Sequence, residues 1–252
     1  MYLRVPEVHG WTGEIYTAAV PLLLIDRLEQ ERMEEVRWGI LGCGNVCEVK
    51  SGPPLYKIEG SKLVAVMRRD LSLAKDFAHR HGVPKAYDNA EDVLKDPEVN
   101  AVYIATPPGT HLELAKLVAK YGKACYVEKP MARNLKETEE LCNAFKEAKL
   151  PLYAAYYRRG QERFRYAREI VLSGKIGTVT SVIYKYCNNT HENGALAAAS
   201  VGGPHPPWRW NPEISGGGLI MDVGCHTLDI IDFIVGPFSV NGAVSSNVAS
   251  PG

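Results

Sequence analysis

The chain has 252 residues, enough for one large domain or two domains of ordinary size. Basic and acidic residues are equal in number, 29 of each, so the composition shows neither the basic surface of a nucleic-acid-binding protein nor an acidic tail. No apolar run approaches the roughly 20 residues that a membrane-spanning helix requires. We therefore expect a globular protein that has neither a nucleic-acid partner nor a membrane partner.

The six cysteines form no Cys-x-x-Cys pair. The spacing of Cys43 and Cys47 is compatible with a metal site, but no second cysteine pair and no histidine pair follows it. Buried, reduced thiols are the simpler interpretation, and they indicate a reducing compartment. We therefore predict a cytoplasmic protein without a metal site.

Residues 1–35 are interpreted as an N-terminal extension. Their short apolar run, Leu22 to Ile25, has neither the basic flank nor the small-residue cleavage site of a signal peptide. Met33 lies just ahead of the first predicted strand. Our hypothesis is that Met33 is the natural start of the protein.

From Val36 onward, strand patterns alternate with helix patterns. Strands are predicted over 37–41, 62–67, 86–87, 101–105, 124–127 and 152–156. Helices are predicted over 45–50, 54–58, 72–81, 91–94, 110–121 and 135–148. This alternation predicts an α/β fold with a parallel, doubly wound sheet, and we assign 36–157 to a Rossmann domain.

The pattern changes after Arg159. A helix is predicted over 161–172, a strand over 178–187, a loop over 188–208, a helix over 219–235 and further β structure from 238 to 248. We assign 158–252 to a second α/β domain, which is incomplete because so few strands make a poor sheet.

The stretch Gly42-Cys43-Gly44 ends the first predicted strand and opens a helix at Asn45 and Val46. Gly42 permits a tight turn, Gly44 lets the backbone approach a pyrophosphate, and the helix start offers free N–H groups to an anion. Cys47 takes the third small position of this dinucleotide fingerprint, which usually holds Gly or Ala.

Arg68 and Arg69 follow the second predicted strand, where an acidic residue would accept the ribose 2′-hydroxyl of NAD. Arginine instead pairs a 2′-phosphate, so we predict NADP, with NAD kept open because Asp70 comes next.

Other strand ends carry Thr106-Pro107-Pro108, Glu128-Lys129-Pro130 and Tyr157-Arg158-Arg159. In open α/β sheets, ligands bind beyond the carboxyl ends of the strands. These segments are therefore expected to converge on one crevice with the glycine turn.

Four motifs occur together: Gly42-x-Gly44-Asn45, Ala105-Thr106-Pro107-Pro108-x-x-His111, Glu128-Lys129-Pro130, and Gly216-Gly217-Gly218 followed by Asp222-x-Gly224-x-His226-x-x-Asp229. In this order and spacing they resemble the glucose–fructose oxidoreductase/inositol dehydrogenase (Gfo/Idh/MocA) family over about residues 36–245. The resemblance implies a Rossmann domain followed by a domain with an open, mostly antiparallel sheet. It also implies an NAD(P)-dependent oxidoreductase acting on a sugar-like or cyclic alcohol or ketone, in a protein that is often a homo-oligomer.

The resemblance also implies roles for single residues. Lys129 would contact the reacting oxygen and help to move its proton, while Asp222 and His226 would bind substrate hydroxyls, with Asp229 placed to orient His226. The triple glycine would allow backbone to approach ligand. The residues expected beside the cofactor are Gly42, Cys43, Gly44, Asn45, Val46, Arg68, Arg69, Thr106, Pro107, Pro108, His111, Glu128, Lys129 and Arg209; for His111, a position on the helix surface is an open alternative.

Two alternatives to the oxidoreductase stay open. One is a non-catalytic cofactor-binding remnant or regulator, which fits a shortened second domain. The other is an NAD-dependent glycosidase, which keeps the cofactor but shows no net redox change.

Overall fold

The computed structural model describes residues 35–185, 208, 211–218 and 220–244. The expectations for the N-terminal extension, including Met33, for the loop 188–207 and for Arg209 lie outside these residues.

The strands of the described chain form one parallel sheet. They are β1 Val36–Leu41, β2 Ser61–Met67, β3 Lys85–Tyr87, β4 Ala101–Ile104, β5 Ala124–Val127 and β6 Leu152–Ala154. Their order across the sheet is β3-β2-β1-β4-β5-β6, and every neighbouring pair is parallel. The predicted doubly wound α/β fold is confirmed.

Helices connect these strands and continue beyond them. The α-helices are α1 Asn45–Val49, α2 Pro54–Lys57, α3 Leu71–His81, α4 Ala90–Lys95, α5 His111–Lys120, α6 Leu135–Ala148, α7 Glu162–Leu172, α8 Pro212–Ser215 and α9 Cys225–Val235. Two 3₁₀ segments occupy Pro108–Thr110 and Tyr157–Gly160, and a π-helical segment, Ile220–Gly224, runs directly into α9.

Short polar side chains set several helix starts. The side chains of Asp70, Asn89, Asn134 and Asn211 each accept a main-chain N–H of the helix that follows. These bonds satisfy N–H groups that have no partner within a helix, and so they fix where the helix begins.

The sheet buries both of its faces. Ala101–Ile104 is buried throughout; Val102 and Ile104 belong to one apolar cluster, while Tyr103 belongs to another. Alternate residues of a strand point to opposite faces, so the two clusters are the two covered sides of the sheet.

Two predicted β segments are wrong where the structure describes them. Residues 178–185 and 238–244 form no strand, and Ile183 is 91% exposed. A strand requires a neighbour to receive its hydrogen bonds, and none of the residues described beyond β6 is in a strand. The predicted helix over 219–235 is also divided, since its first turn is π-helical.

Among the described helices, none has the length and apolar character needed to cross a bilayer.

The short helix α1 is anchored to α3 by Glu48. The Glu48 carboxylate accepts hydrogen bonds of 2.8 Å from both terminal nitrogens of Arg80 and lies 2.8 Å from Nε2 of His81. Because α1 is only five residues long, it depends on such contacts rather than on intrinsic helix stability.

Removal of the Glu48 charge is expected to destabilise the fold in a pH-dependent way. The hydrogen bonds from Arg80 lower the pKa of Glu48 from 4.5 to about 2. Because the folded state has the lower pKa, the stabilisation is complete above the unfolded value and is lost as the pH falls toward about 2. We expect Glu48→Gln to cost about 1 kcal/mol at neutral pH, after allowance for solvent screening. Thermal unfolding of parent and variant at neutral pH and at about pH 3 measures this.

Asp76→Asn is the matched control. Asp76 also accepts a hydrogen bond from Arg80, at 2.8 Å, but its side chain is 57% exposed. Its substitution should change the free energy of unfolding less than Glu48→Gln does. A Glu48→Gln effect of equal size at both pH values would contradict the account.

Candidate functional site

The glycine turn lies where the strand order reverses, between β1 and β4, the position at which open α/β sheets bind ligands. Gly42 follows β1 with a φ of 90°, and its N–H donates to the main-chain oxygen of Met67 at 2.9 Å. A Cβ on Gly42 would lie 2.5 Å from Cγ2 of Thr106. Only glycine therefore lets this turn pack against the loop that follows β4.

Gly44 borders open space instead. A Cβ on Gly44 would meet only the oxygen of Gly42, at 3.9 Å, and no side chain caps the start of α1. A phosphate group fits such a space beside main-chain N–H groups, so the turn is compatible with a dinucleotide. Asn45 is exposed and Val46 is half-buried at the edge of this space.

The cysteines beside the turn are packing residues. Cys43 and Cys47 are completely buried, and burial raises their pKa to about 11 and about 12. Both thiols therefore stay protonated at neutral pH. Cys47 Sγ lies 3.9 Å from the oxygen of Gly42, so this small side chain fills the third position of the fingerprint.

The basic pair after β2 differs in exposure. Arg68 is half-buried, and its main-chain N–H donates to the main-chain oxygen of Tyr87 at 3.1 Å. Arg69 is exposed. Asp70 Oδ1 accepts from the hydroxyl of Ser72 at 2.6 Å and from its N–H at 2.9 Å. The bond from the Ser72 hydroxyl holds the pKa of Asp70 below its ordinary value. The acidic residue nearest the strand end is thus engaged in capping α3.

The loop after β4 is held by hydroxyl contacts. Thr110 Oγ1 lies 2.7 Å from Oγ1 of Thr106 and donates to the oxygen of Pro107 at 3.0 Å. Pro108 is buried and starts the 3₁₀ turn. His111, at the start of α5, is completely buried, so the alternative of a helix-surface histidine is wrong.

Glu128 belongs to a partly buried polar cluster that sequence reasoning missed. Its Oε1 lies 2.5 Å from the hydroxyl of Tyr103, which in turn lies 2.8 Å from Oγ of Ser51. Burial raises the pKa of Tyr103, so this hydroxyl can donate to the carboxylate. The only signal in the sequence was a tyrosine inside an apolar strand, whose hydroxyl requires a partner when buried.

Lys129 is joined to Asp222. Lys129 Nζ donates to Oδ1 of Asp222 at 2.8 Å and to its main-chain oxygen at 2.9 Å. The two side chains are 16% and 20% exposed. The structure therefore brings together two motifs that are 93 residues apart.

Close backbone approaches bring the Asp222 segment to Lys129. A Cβ on Gly216 would lie 2.6 Å from the oxygen of Arg133, and one on Gly109 would lie 3.1 Å from the main chain of Ile214. Arg133 also donates to the oxygen of Glu213 at 2.8 Å. The expectation that the triple glycine approaches a ligand is corrected at Gly216, which approaches the protein's own backbone.

His226 lies one turn beyond Asp222, at the start of α9, and is 6% exposed. The rings of Tyr156 and Tyr157 meet it edge-on, with centroid distances of 6.1 and 5.3 Å. Its Nδ1 is buried and has no hydrogen-bond partner within the described part of the chain. Burial, reinforced by the charges of Lys129 and Arg158, lowers the pKa of His226 to about 4.

Asp229 does not orient His226. Its Oδ1 accepts from Arg159 at 2.7 Å, and Arg159 also pairs with Asp232 at 3.1 Å. Burial raises the pKa of Asp229. Of the two arginines after β6, Arg159 thus binds α9, whereas Arg158 acts on His226 through its charge.

A mostly apolar groove of about 1180 Å³ lies between the segment after Lys129 and the beginning of α9. Neither Lys129 nor His226 lines it. We therefore place the candidate site at the Lys129–Asp222 contact, where the polar groups converge, and not in this groove.

Comparison with known proteins gives two family matches. Residues 36–156 match the family described as "Oxidoreductase family, NAD-binding Rossmann fold", and residues 164–251 match the "GFO/IDH/MocA C-terminal domain".

Individual relatives agree with these matches. An oxidoreductase of Formosa agariphila is 43% identical over 78% of this chain and 59% of its own length. The trans-1,2-dihydrobenzene-1,2-diol dehydrogenase of Bos taurus is 30% identical over 80% of this chain and 56% of its own length. The chain thus spans little more than half the length of these relatives.

Solved structures share the fold. The scyllo-inositol dehydrogenase of Lactobacillus casei, with bound NAD(H) and scyllo-inositol, superposes with a TM-score of 0.65 at 22% identity, over 80% of this chain and 56% of its own. The aldose-aldose oxidoreductase of Caulobacter crescentus, in complex with glycerol, gives 0.69 at 25% identity, over 80% and 58%.

The two fingerprint glycines are expected to respond differently to substitution by alanine. Gly42→Ala should cost about 2 kcal/mol or more, because the added methyl meets Thr106 at a positive φ. Gly44→Ala should leave the melting temperature close to that of the parent but weaken NADPH binding about tenfold or more, because its methyl enters the open space. Thermal unfolding and a titration with NADPH separate the two effects. Unchanged NADPH affinity in a folded Gly44→Ala variant would remove the turn from the cofactor site.

Proposed function

Since the chain belongs to the Gfo/Idh/MocA oxidoreductase family, we propose that it is an NADP-preferring oxidoreductase that acts on CH–OH groups of sugar-like or cyclic alcohols and the matching ketones. The observation that carries this proposal is the contact between Lys129 and Asp222 beside the buried ring of His226. Three groups that can bind or exchange a proton lie together next to a Rossmann crevice.

The residues around the glycine turn fit a dinucleotide. Gly42 to Val46 would hold the pyrophosphate, and Thr106 to Pro108 would lie beside the cofactor with Glu128. Arg68 is the group that would pair a 2′-phosphate, since Asp70 is engaged in capping α3. When bound, the nicotinamide ring supplies the site that accepts or gives up a hydride.

Asp222 and His226 would bind the substrate. The Asp222 carboxylate accepts hydrogen bonds from hydroxyl groups, and the unpartnered Nδ1 of His226 offers a further buried polar position. An unpaired buried polar atom costs free energy, so a substrate hydroxyl that pairs with it gains affinity.

Lys129 would handle the proton of the reacting hydroxyl. A hydride leaves the carbinol carbon only when the hydroxyl proton is also removed, and the Lys129 nitrogen is held in place by Asp222. His226, with a pKa of about 4, is uncharged at neutral pH and can accept a proton or a hydrogen bond.

The cytoplasmic location and a homo-oligomer are proposed from the composition and from the family. Support for a sugar-like or cyclic alcohol as substrate comes from the names of relatives and structural neighbours, which refer to a cyclic diol, an inositol and aldoses.

Lys129→Ala is expected to remove turnover, by about a hundredfold or more, while NADPH binding is retained. Lys129→Arg keeps the positive charge beside Asp222 but cannot release a proton, so it should be nearly as inactive. Reduction of NADP during a screen of sugars and cyclic alcohols is the measurement.

Lys116→Ala is the matched control for this series. Lys116 also pairs with a carboxylate, that of Glu140 at 2.8 Å, but on the surface of α5. Full activity in Lys129→Ala would exclude the assigned role. Binding without turnover in the parent would favour the non-catalytic alternative. Cleavage of a nitrophenyl glycoside without net nicotinamide change would favour the glycosidase.

Cofactor preference gives an independent prediction. NADPH should quench tryptophan fluorescence at lower concentration than NADH, and Arg68→Ala should weaken NADPH binding about tenfold, because a charge-assisted hydrogen bond to the 2′-phosphate is lost. NADH binding should change little in this variant. Tighter binding of NADH by the parent would instead assign the ribose contact to Asp70.

A further inference from the structure

The buried ring of His111 lies between the two loops that border the candidate site. Its Nε2 lies 2.7 Å from the main-chain oxygen of Thr106, in the loop after β4. Its Nδ1 lies 3.0 Å from the oxygen of Pro130 and 3.3 Å from that of Met131, in the turn after Lys129. The side chain is completely buried. Both ring nitrogens therefore face the protein's own backbone and not the open crevice.

The chemistry of these contacts limits what His111 can do. Main-chain oxygens only accept hydrogen bonds, so the ring must donate to them. Burial lowers the pKa of His111, which favours the neutral ring with a single N–H. Oxygens of the two loops lie 2.7 and 3.0 Å from the two ring nitrogens, so a ring that carries both protons donates to both loops and a neutral ring donates to one of them. In neither form does the ring offer a nitrogen to a ligand.

The geometry points to His111 as a positioning residue that ties the Thr106–Pro108 loop to the Lys129–Met131 turn and so fixes Lys129 relative to the cofactor side of the crevice. The effect of His111 on turnover rests on the proposed function. The tie itself is a property of the two loops and can be tested without substrate.

A displacement of about 1 Å in a catalytic group can lower the rate by about a hundredfold. Loops that carry catalytic groups therefore have to be held more precisely than this. Lys129 is already fixed at its tip by Asp222. His111 contacts the main chain directly after Lys129, at the oxygen of Pro130. The side chain and the backbone of Lys129 are therefore held by different parts of the fold.

Three substitutions separate the contacts. His111→Asn keeps a donor near the position of Nδ1, His111→Gln keeps one near the position of Nε2, and His111→Leu removes both. Amide hydrogen exchange of the segments 105–111 and 128–133 reports on the two loops. We expect His111→Leu to speed exchange about tenfold or more in both segments, while each amide variant protects the loop that its donor reaches.

Kinetics and binding provide the second readout. In His111→Leu we expect kcat to fall about tenfold or more, with the Kd for NADPH changed less than about threefold. His111→Asn should restore most of kcat, because it keeps the bond to the turn after Lys129. Where His111→Leu does not fold, the two amide variants carry the comparison.

Two results would overturn the assignment. Unchanged exchange in both segments of folded variants would show that the ring does not tie the loops. A loss of NADPH affinity larger than the loss of kcat would show that the ring acts on the cofactor side of the crevice and not on Lys129. Failure of the parent to turn over any substrate would count against the proposed function alone, since the exchange measurement does not depend on it.

Discussion

A charged contact between distant parts of the chain organises the candidate site. Lys129 Nζ bonds two oxygens of Asp222, one in the side chain and one in the main chain, across 93 residues. Both side chains are mostly buried, so removal of either residue would break a mostly buried ion pair, which is costly. The contact therefore requires the Asp222 segment to dock accurately on the Rossmann domain.

Close approaches between main-chain segments contribute to that docking. At Gly216 a side chain would collide with the main chain of Arg133, and at Gly109 a Cβ would lie a tight 3.1 Å from the main chain of Ile214. Arg133 adds a hydrogen bond to the oxygen of Glu213. The π-helical segment that contains Asp222 leads into α9, where the side chain of His226 is buried. π-Helical turns of this kind are frequent at functional sites.

The charges around the site are divided between structure and proposed chemistry. Asp70, Asp229 and Arg159 are engaged in a helix cap or in ion pairs. Nδ1 of His226 has no hydrogen-bond partner among the described residues, and Nζ of Lys129 donates to two oxygens of Asp222. Two buried atoms of the described residues, Nδ1 of His226 and Oδ2 of Asp229, have no hydrogen-bond partner, and under the proposed function the former would pair with a hydroxyl of the substrate. This division supports a site for a polar, hydroxylated small molecule.

The local pattern of the sequence determined the Rossmann half of the protein. The continuous apolar run over Ala101–Ile104, the alternation of strands with helices and the Gly42 turn are all encoded within a few residues, and each is present in the structure as predicted. Periodicity and turn chemistry depend on neighbours in sequence, so these features can be derived without the tertiary structure. The four motifs likewise identified the family before any geometry was available.

Only the tertiary structure decided how the polar side chains are shared out. Asp229 binds Arg159 and not His226, His111 turns inward to three main-chain oxygens, and Gly216 approaches Arg133. Residues 178–185 have strand-like composition but no neighbouring strand in the described chain, so they do not form one. The physical reason is the same in each case. A sequence specifies which groups must find partners, but the partner is chosen by which segments the fold brings within about 3 Å of each other.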